Sequence, residues 1–258
     1  MGNIYDLSHR TVLVTGASSG IGAHLAQGIA DKGATVVLAA RRMERLKDLE
    51  QEILAKGGKA FAVEMDVTRE ASVIAGFDEA EQKAGVCNTV IANAGLLICE
   101  PALDLPIEDF DRVIDVNLRG AFLTAREGAR RMIASGSAER QDGRILLTSS
   151  SSAEKVIPTN SAYGTAKSAI RHLAQVLALE WIRLGINVNA VLPGLIRTEM
   201  TGPMLTTAQG DAFLAALPRQ REMEISALDD IVFLLCSDAA KTITGAEFLI
   251  DDGHHIAL

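Results

Sequence analysis

Seven short runs of apolar, β-branched-rich residues recur along the chain, and between them the apolar positions spread out to helical spacing. Thr11–Val14, Thr35–Ala39, Lys59–Val63, Val90–Ala92, Arg144–Thr148, Asn187–Val191 and Glu247–Ile250 read as strands. Several are apolar almost throughout instead of at every second position, the pattern of parallel strands covered on both faces. Helical periodicity fills the gaps at Ile21–Lys32, Met43–Lys56, Ala71–Lys83, Ile107–Arg131, Ser161–Leu184 and Asp229–Leu235. Parallel strands need crossover connections, so the alternation predicts an α/β fold: a doubly wound parallel sheet of about seven strands with helices on both faces.

Length agrees with one domain over residues 1–258, since a chain of this size buries a sizeable core, and by itself leaves two small domains open. No internal repeat, low-complexity tract or Pro/Ser-rich linker divides it. The least regular stretch, Leu195–Ser226, holds Gly202, Pro203, Gly210 and Pro218 after a strand and is a candidate substrate lid. Its Met200, Met204, Leu205, Phe213, Leu214 and Leu217 either face a pocket or pack the lid onto the body.

Charge narrows the function classes. A formal net charge of -8 and a pI near 5.2 favour neither nucleic acid nor an anionic membrane. Met1 to Arg10 has no apolar signal core, and no run approaches the roughly 18 apolar residues of a membrane span. Cys87, Cys99 and Cys236 lack metal spacing and read as reduced thiols. A cytoplasmic protein with no metal site is expected. The paired His254 and His255 near the end read as solvated or as a subunit contact, and Trp181 as a core or interface residue.

Two constellations carry chemistry. After the first strand, Gly16-Ala17-Ser18-Ser19-Gly20-Ile21-Gly22 leads straight into a helix, where glycines allow a tight turn and a helix N-terminus can meet a pyrophosphate. The second strand ends Leu38-Ala39-Ala40-Arg41-Arg42. Ala40 occupies the slot where an NAD site places an acid, and two guanidiniums that suit a 2′-phosphate follow. NADP(H) is therefore the expected cofactor, with NAD(H) possible. Further on, Tyr163 and Lys167 stand four apart on one helix face, thirteen residues after Ser150. A cation beside a phenol favours the phenolate and draws its pKa toward neutrality, and a hydroxyl can hold the substrate oxygen.

With these segments in order, the chain resembles the short-chain dehydrogenase/reductase family over essentially its whole length. Thr15-Gly16-Ala17-Ser18-Ser19-Gly20-Ile21-Gly22 matches that family's glycine turn, and Asp66-Val67 the pair that meets the adenine. Asn93-Ala94-Gly95 matches its N-A-G segment, and Pro193-Gly194-Leu195-Ile196-Arg197-Thr198 the stretch supporting the nicotinamide carboxamide. Asn117, Ser150, Tyr163 and Lys167 fall at its four catalytic positions. The resemblance implies a single Rossmann-type domain and hydride transfer between a nicotinamide and a carbonyl carbon. By resemblance, Tyr163 exchanges the proton on oxygen, Ser150 steadies that oxygen and Lys167 lowers the Tyr163 pKa while binding the nicotinamide ribose. Asn117 would hold a water that connects Lys167 to solvent. A homotetramer or homodimer is implied too, packed through the helices at Ile107–Arg131 and Ser161–Leu184.

Ser149, Ser151 and Ser152 flank Ser150, and spacing alone selects among them. Asn88, Ala92 and Asp251-Asp252-Gly253 depart from the family pattern, which loosens assignment to one subfamily. An NADP(H)-dependent oxidoreductase acting on a ketone or secondary alcohol is the first expectation. Its rival within the enzyme class is a 3-oxoacyl-thioester reductase served by an acidic acyl carrier protein, for which Arg126, Arg130, Arg131 and Arg140 offer a basic stretch. Outside that class stands an NADP-binding sensor or scaffold. Substrate identity, direction and stereochemistry depend on the loops at Leu96–Asp104, Ser152–Asn160 and Leu195–Ser226.

Overall fold

The computed structural model describes residues 4–256. Residues 1–3 and 257–258, included in the expected 1–258 domain and in the reading of the N-terminal segment, lie outside the described residues. The chain runs β1 (Thr11–Thr15), α1 (Gly20–Asp31), β2 (Thr35–Ala40), α2 (Met43–Ala55), β3 (Lys59–Glu64), α3 (Glu70–Ala84) and β4 (Thr89–Ala92). It continues through α4 (Ile107–Ile114), α5 (Gly120–Ala134), α6 (Ser137–Arg140), β5 (Gly143–Thr148), α7 (Ser161–Trp181) and β6 (Ile186–Pro193). The last elements are α8 (Gly202–Leu205), α9 (Ala208–Ala215), α10 (Asp229–Cys236) and β7 (Glu247–Ile250).

All seven strands pair in parallel in the order β3-β2-β1-β4-β5-β6-β7. Continuous apolar strands are explained by two cores. Val12 and Val14 of β1 join a cluster with Leu25, Ile29, Leu46, Val232 and Phe233, beneath α1, α2 and α10. Leu13, between them, joins Phe77, Ala125, Ala129, Ile170 and Ala174 beneath α3, α5 and α7. Alternate side chains therefore leave the sheet in opposite directions and both are buried. The strand order reverses between β1 and β4, which opens a crevice at the carboxyl ends of those strands.

One predicted helix is really three pieces. Ile107–Arg131 divides into α4, a π-helical turn at Asp115–Arg119 and α5, with the Gly120 N–H donating to the Asp115 carbonyl five residues back. Ser161–Leu184 likewise ends as an α-helix at Trp181 and closes with a 3-10 turn. The opposite, amino end of the strands holds two fully buried arginines: Arg10 donates to the Asp142 carbonyl and to Asp238 Oδ1 at 2.5 Å, and Arg144 Nη1 to the Gly143 carbonyl at 2.8 Å.

Candidate active site

The crevice between β1 and β4 widens into a cavity of about 750 Å³. Its floor at one end is the glycine turn. Gly16 and Gly20 have φ of +70° and +55°, which side-chain-bearing residues rarely adopt. A Cβ on Gly22 would lie 2.4 Å from the Gly16 carbonyl oxygen, so backbone packs against backbone there. Ser19 caps α1 without a side-chain bond to its first-turn N–H groups. Those donors are left for an anion. Asn93 Nδ2 donates to the Thr15 carbonyl at 3.1 Å, and Thr15 Oγ1 accepts from the Asn93 and Ala94 N–H groups at 3.1 and 3.2 Å. The Asn93 segment thus clamps the ends of β1 and β4 together.

The cationic pair lies at the end of β2. Arg42 Nε and Nη2 donate to Ser18 Oγ at 3.1 and 2.9 Å, and Nη2 to Ser19 Oγ at 2.7 Å. Arg41 is exposed beside it and borders the same cavity, as does Ala40. Asp66 and Val67 close the side toward β3. Burial raises the Asp66 carboxyl, but bonds from the Thr68 hydroxyl and N–H, with Arg41 nearby, bring it below its ordinary value overall.

At the other end, Ser150, Tyr163 and Lys167 share one wall. Lys167 is buried, its Nζ 5.5 Å from the Tyr163 ring centroid and donating to the Thr148 carbonyl at 2.8 Å. Burial pulls its ammonium down to about 8. Tyr163 goes the other way. Burial pushes the phenol above its ordinary value, a bond to Ser150 lowers it in part, and Cys99 raises it again. Desolvation of the phenolate is the largest cause of that shift, and the expected lowering by Lys167 does not figure among its causes.

The serine choice also has a geometric basis. Ser149 Oγ donates to the Lys167 carbonyl at 2.7 Å and is committed to holding β5 to α7. Ser150 accepts from the Ser152 N–H at 3.1 Å and donates to Ser152 Oγ at 3.2 Å, an exchangeable contact beside the phenol.

Of the residues expected from sequence, Gly16, Ser18, Ser19, Gly20, Ile21, Arg41, Arg42, Asp66, Val67, Asn93, Ala94, Gly95, Ser150, Tyr163, Lys167, Pro193, Gly194, Ile196 and Thr198 border the cavity. Gly22 stands behind the turn. Asn117 is 1% exposed and does not line the cavity. Both its amide donors are taken, by the Leu96 carbonyl at 2.7 Å and the Val113 carbonyl at 2.9 Å, while its Oδ1 accepts from the Leu96 N–H at 3.2 Å. It braces the loop backbone at Leu96, just past Gly95, so its amide has no donor left for a water.

Three features were not legible in the sequence. His254, read as a solvated tail or a subunit contact, is 6% exposed and borders the cavity, edge-on to Phe213 at 5.4 Å. Glu199, next to Thr198, reaches across to Arg42 and Arg45. The lid divides: Met200, Met204 and Phe213 face the cavity, whereas Leu205 and Leu217 are buried beneath it. His255 bonds Asp251, Trp181 packs on the core, and among the described residues no group of His, Cys, Asp and Glu could hold a metal. No described helix is long and apolar enough to cross a membrane. The four arginines of the basic stretch are paired: Arg126 with Glu70, Arg130 with Glu127, Arg131 with Asp78, Glu81 and Glu127, and Arg140 with Asp142.

A family model described as Enoyl-(Acyl carrier protein) reductase matches residues 16–255. A NAD-dependent glycerol dehydrogenase of Listeria innocua serovar 6a is 32% identical over 252 residues, covering 98% of this chain and 96% of that protein. A solved short-chain type dehydrogenase/reductase from Mycobacterium marinum superposes with a TM-score of 0.91 at 35% identity over 97% of both chains. A gluconate 5-dehydrogenase from Burkholderia cenocepacia J2315, solved in complex with NADP and tartrate, does so with a TM-score of 0.92 at 30% identity over 98% of both.

Proposed function

Because the chain belongs to the short-chain dehydrogenase/reductase family and is a nicotinamide-dependent oxidoreductase acting on alcohol and carbonyl groups, we propose that it is an NADP(H)-dependent reductase of ketones, reversibly a dehydrogenase of secondary alcohols. The observation that carries this reading is the arrangement of two opposed ends in one cavity. A helix N-terminus with a paired guanidinium lies at one end, and Ser150, Tyr163 and Lys167 lie at the other. The residues fit a dinucleotide: the turn is packed too tightly for any side chain at Gly22, and the first-turn N–H groups of α1 have no side-chain cap. When bound, the nicotinamide supplies or accepts the hydride at the carbonyl carbon.

The chain's own residues do the rest. In reduction the Tyr163 hydroxyl gives its proton to the carbonyl oxygen, and the Ser150 hydroxyl donates to the same atom as negative charge builds. Lys167 sits beside the ring to stabilise the phenolate left behind and to bind the ribose hydroxyls. Asn117 acts through position, holding the Gly95–Leu96 backbone against the cavity. Arg42 and Arg41 meet the 2′-phosphate. Leu97, Ile157, Pro158, Met200, Met204 and Phe213 give the substrate end an apolar wall, which suits a ketone with apolar substituents.

The thioester reading loses its docking patch, since each of its arginines is matched by a carboxylate on the same surface. A sensor has no use for a serine, tyrosine and lysine held together at the substrate end. NADPH and NADH oxidation followed at 340 nm across simple ketones, diketones and 3-oxoacyl thioesters tests the proposal. Turnover of a ketone with NADPH preferred is the expected outcome. Turnover with NADH alone overturns the cofactor assignment, and turnover of thioesters alone overturns the substrate class. The working form is a homotetramer in the cytoplasm, assembled through α7 and the α4–α5 helices.

A further inference from the structure

Arg42, the side chain best placed for a 2′-phosphate, already has an anionic partner. Its Nη1 donates to Glu199 Oε2 at 3.0 Å, while the other carboxylate oxygen takes Arg45. Glu199 comes from the opposite wall. It follows Thr198, whose side chain stands against the Gly20 turn at 3.2 Å from where a Cβ would lie, and it opens the lid. The ion pair therefore crosses the mouth of the cavity, from the start of the lid to the start of α2. All three side chains are about half exposed, so the pair is held by charge and not by packing.

We propose that Glu199 is a specificity-determining residue that competes with the 2′-phosphate of the cofactor for Arg42 and so sets how strongly the site prefers NADP(H) to NAD(H). This deepens the NADP(H) reading above and rests on it. A phosphate arriving at Arg42 meets a carboxylate within hydrogen-bond distance of the same guanidinium, and the two anions cannot share it without repulsion. Arg45 and Arg42 hold the Glu199 carboxyl down at about 2, so it stays charged at any working pH and does not yield by protonation. Its release must be mechanical: the carboxylate swings away, or keeps Arg45 while Arg42 turns fully to the phosphate. A ligand with a 2′-hydroxyl makes no such demand. It can leave the bridge in place. The discrimination the two arginines could exert is thus held below its maximum by one lid residue.

Titration calorimetry of the full-length protein with 2′,5′-ADP and with 5′-ADP isolates this end of the site from the chemistry. In Glu199→Gln, 2′,5′-ADP is expected to bind about two- to fivefold more tightly, the range for removing a solvent-exposed ionic competitor, with 5′-ADP unchanged. The gain should vanish in the Arg42→Ala background. Unchanged or weaker binding of 2′,5′-ADP in Glu199→Gln, in a protein that otherwise prefers it, overturns the inference alone; weaker binding would make Glu199 a brace for Arg42. If the unsubstituted protein binds the two nucleotides equally and Arg42→Ala changes neither, the NADP(H) reading falls first and the competition with it. Matching melting temperatures confirm that the exposed substitution leaves the fold intact.

Discussion

At the residue scale the decisive pair is Tyr163 and Lys167, and its protonation follows from burial. The proposed reduction needs the phenol protonated and the ammonium charged. Burial raises the first group and brings the second to about 8, so below that pH both hold the proton they need. Lys167 loses its charge first as pH rises. The kcat/KM for ketone reduction is therefore expected to stay flat through neutrality and fall above about pH 8, while alcohol oxidation, which needs a phenolate, rises with pH. A reduction profile unaltered up to pH 10 would remove Lys167 from the mechanism. Tyr163→Phe keeps the ring and its packing and deletes only the hydroxyl. It should cost about 10²- to 10⁴-fold in kcat with cofactor affinity retained, and parallel turnover and NADPH-binding measurements check both halves. The flanking serines show where sequence stops being informative at this scale. Four consecutive serines are equivalent in sequence, and the Ser149 bond to the Lys167 carbonyl and the Ser150 bond to the Tyr163 phenol separate them.

At the element scale the turn between β1 and α1 does the positioning, and its tolerance is set by backbone atoms that cannot move aside. A methyl at Gly22 would meet the Gly16 carbonyl oxygen at 2.4 Å and the Asn93 amide at 2.7 Å. Gly22→Ala is expected to cost about 1–3 kcal/mol of stability and to weaken dinucleotide binding more than ketone binding, which melting curves and a KM comparison would resolve. A KM for NADPH that stays put would mean the turn is not where the pyrophosphate sits. The same scale shows why most elements were legible. A strand buried on both faces, such as Thr35–Ala40, is apolar from Val36 onward, with Gly33 shortly before it and Arg41 just after, so its limits are written locally. The π turn at Asp115–Arg119 is not: it lies inside a continuous helical pattern, and its Asn117 bonds the distant Leu96 backbone. The lid helices α8 and α9, four and eight residues long, are too short for a periodic signal. His254 borders the cavity edge-on to Phe213 of α9, a contact between distant segments that no local pattern announces.

At the scale of the whole molecule the chemistry is confined to the carboxyl ends of the strands, which leaves the outer face of α7 free for assembly. That helix is the one that presents Tyr163 and Lys167. Its inner face is buried by Ala166, Ile170, Ala174 and Leu177, yet the opposite side carries Val176, Leu179 and, just beyond its end, Ile182, with Leu179 81% exposed. Apolar residues at this spacing form one stripe along the helix, and water is an unfavourable neighbour for it. A second copy of the chain, related by a twofold axis, buries such a stripe against itself and needs no complementary surface. In the proposed tetramer, assembly would support catalysis indirectly, by fixing the helix that aligns the phenol with the ammonium. Leu179→Glu puts a charge in the middle of that contact. Native mass spectrometry or light scattering should find the proposed tetramer split into smaller species, with reduced kcat and with cofactor affinity at the distant Arg42 end unaltered. A variant that remains tetrameric would place the interface elsewhere, and a dissociated variant with full kcat would show that one chain holds Tyr163 and Lys167 in register unaided.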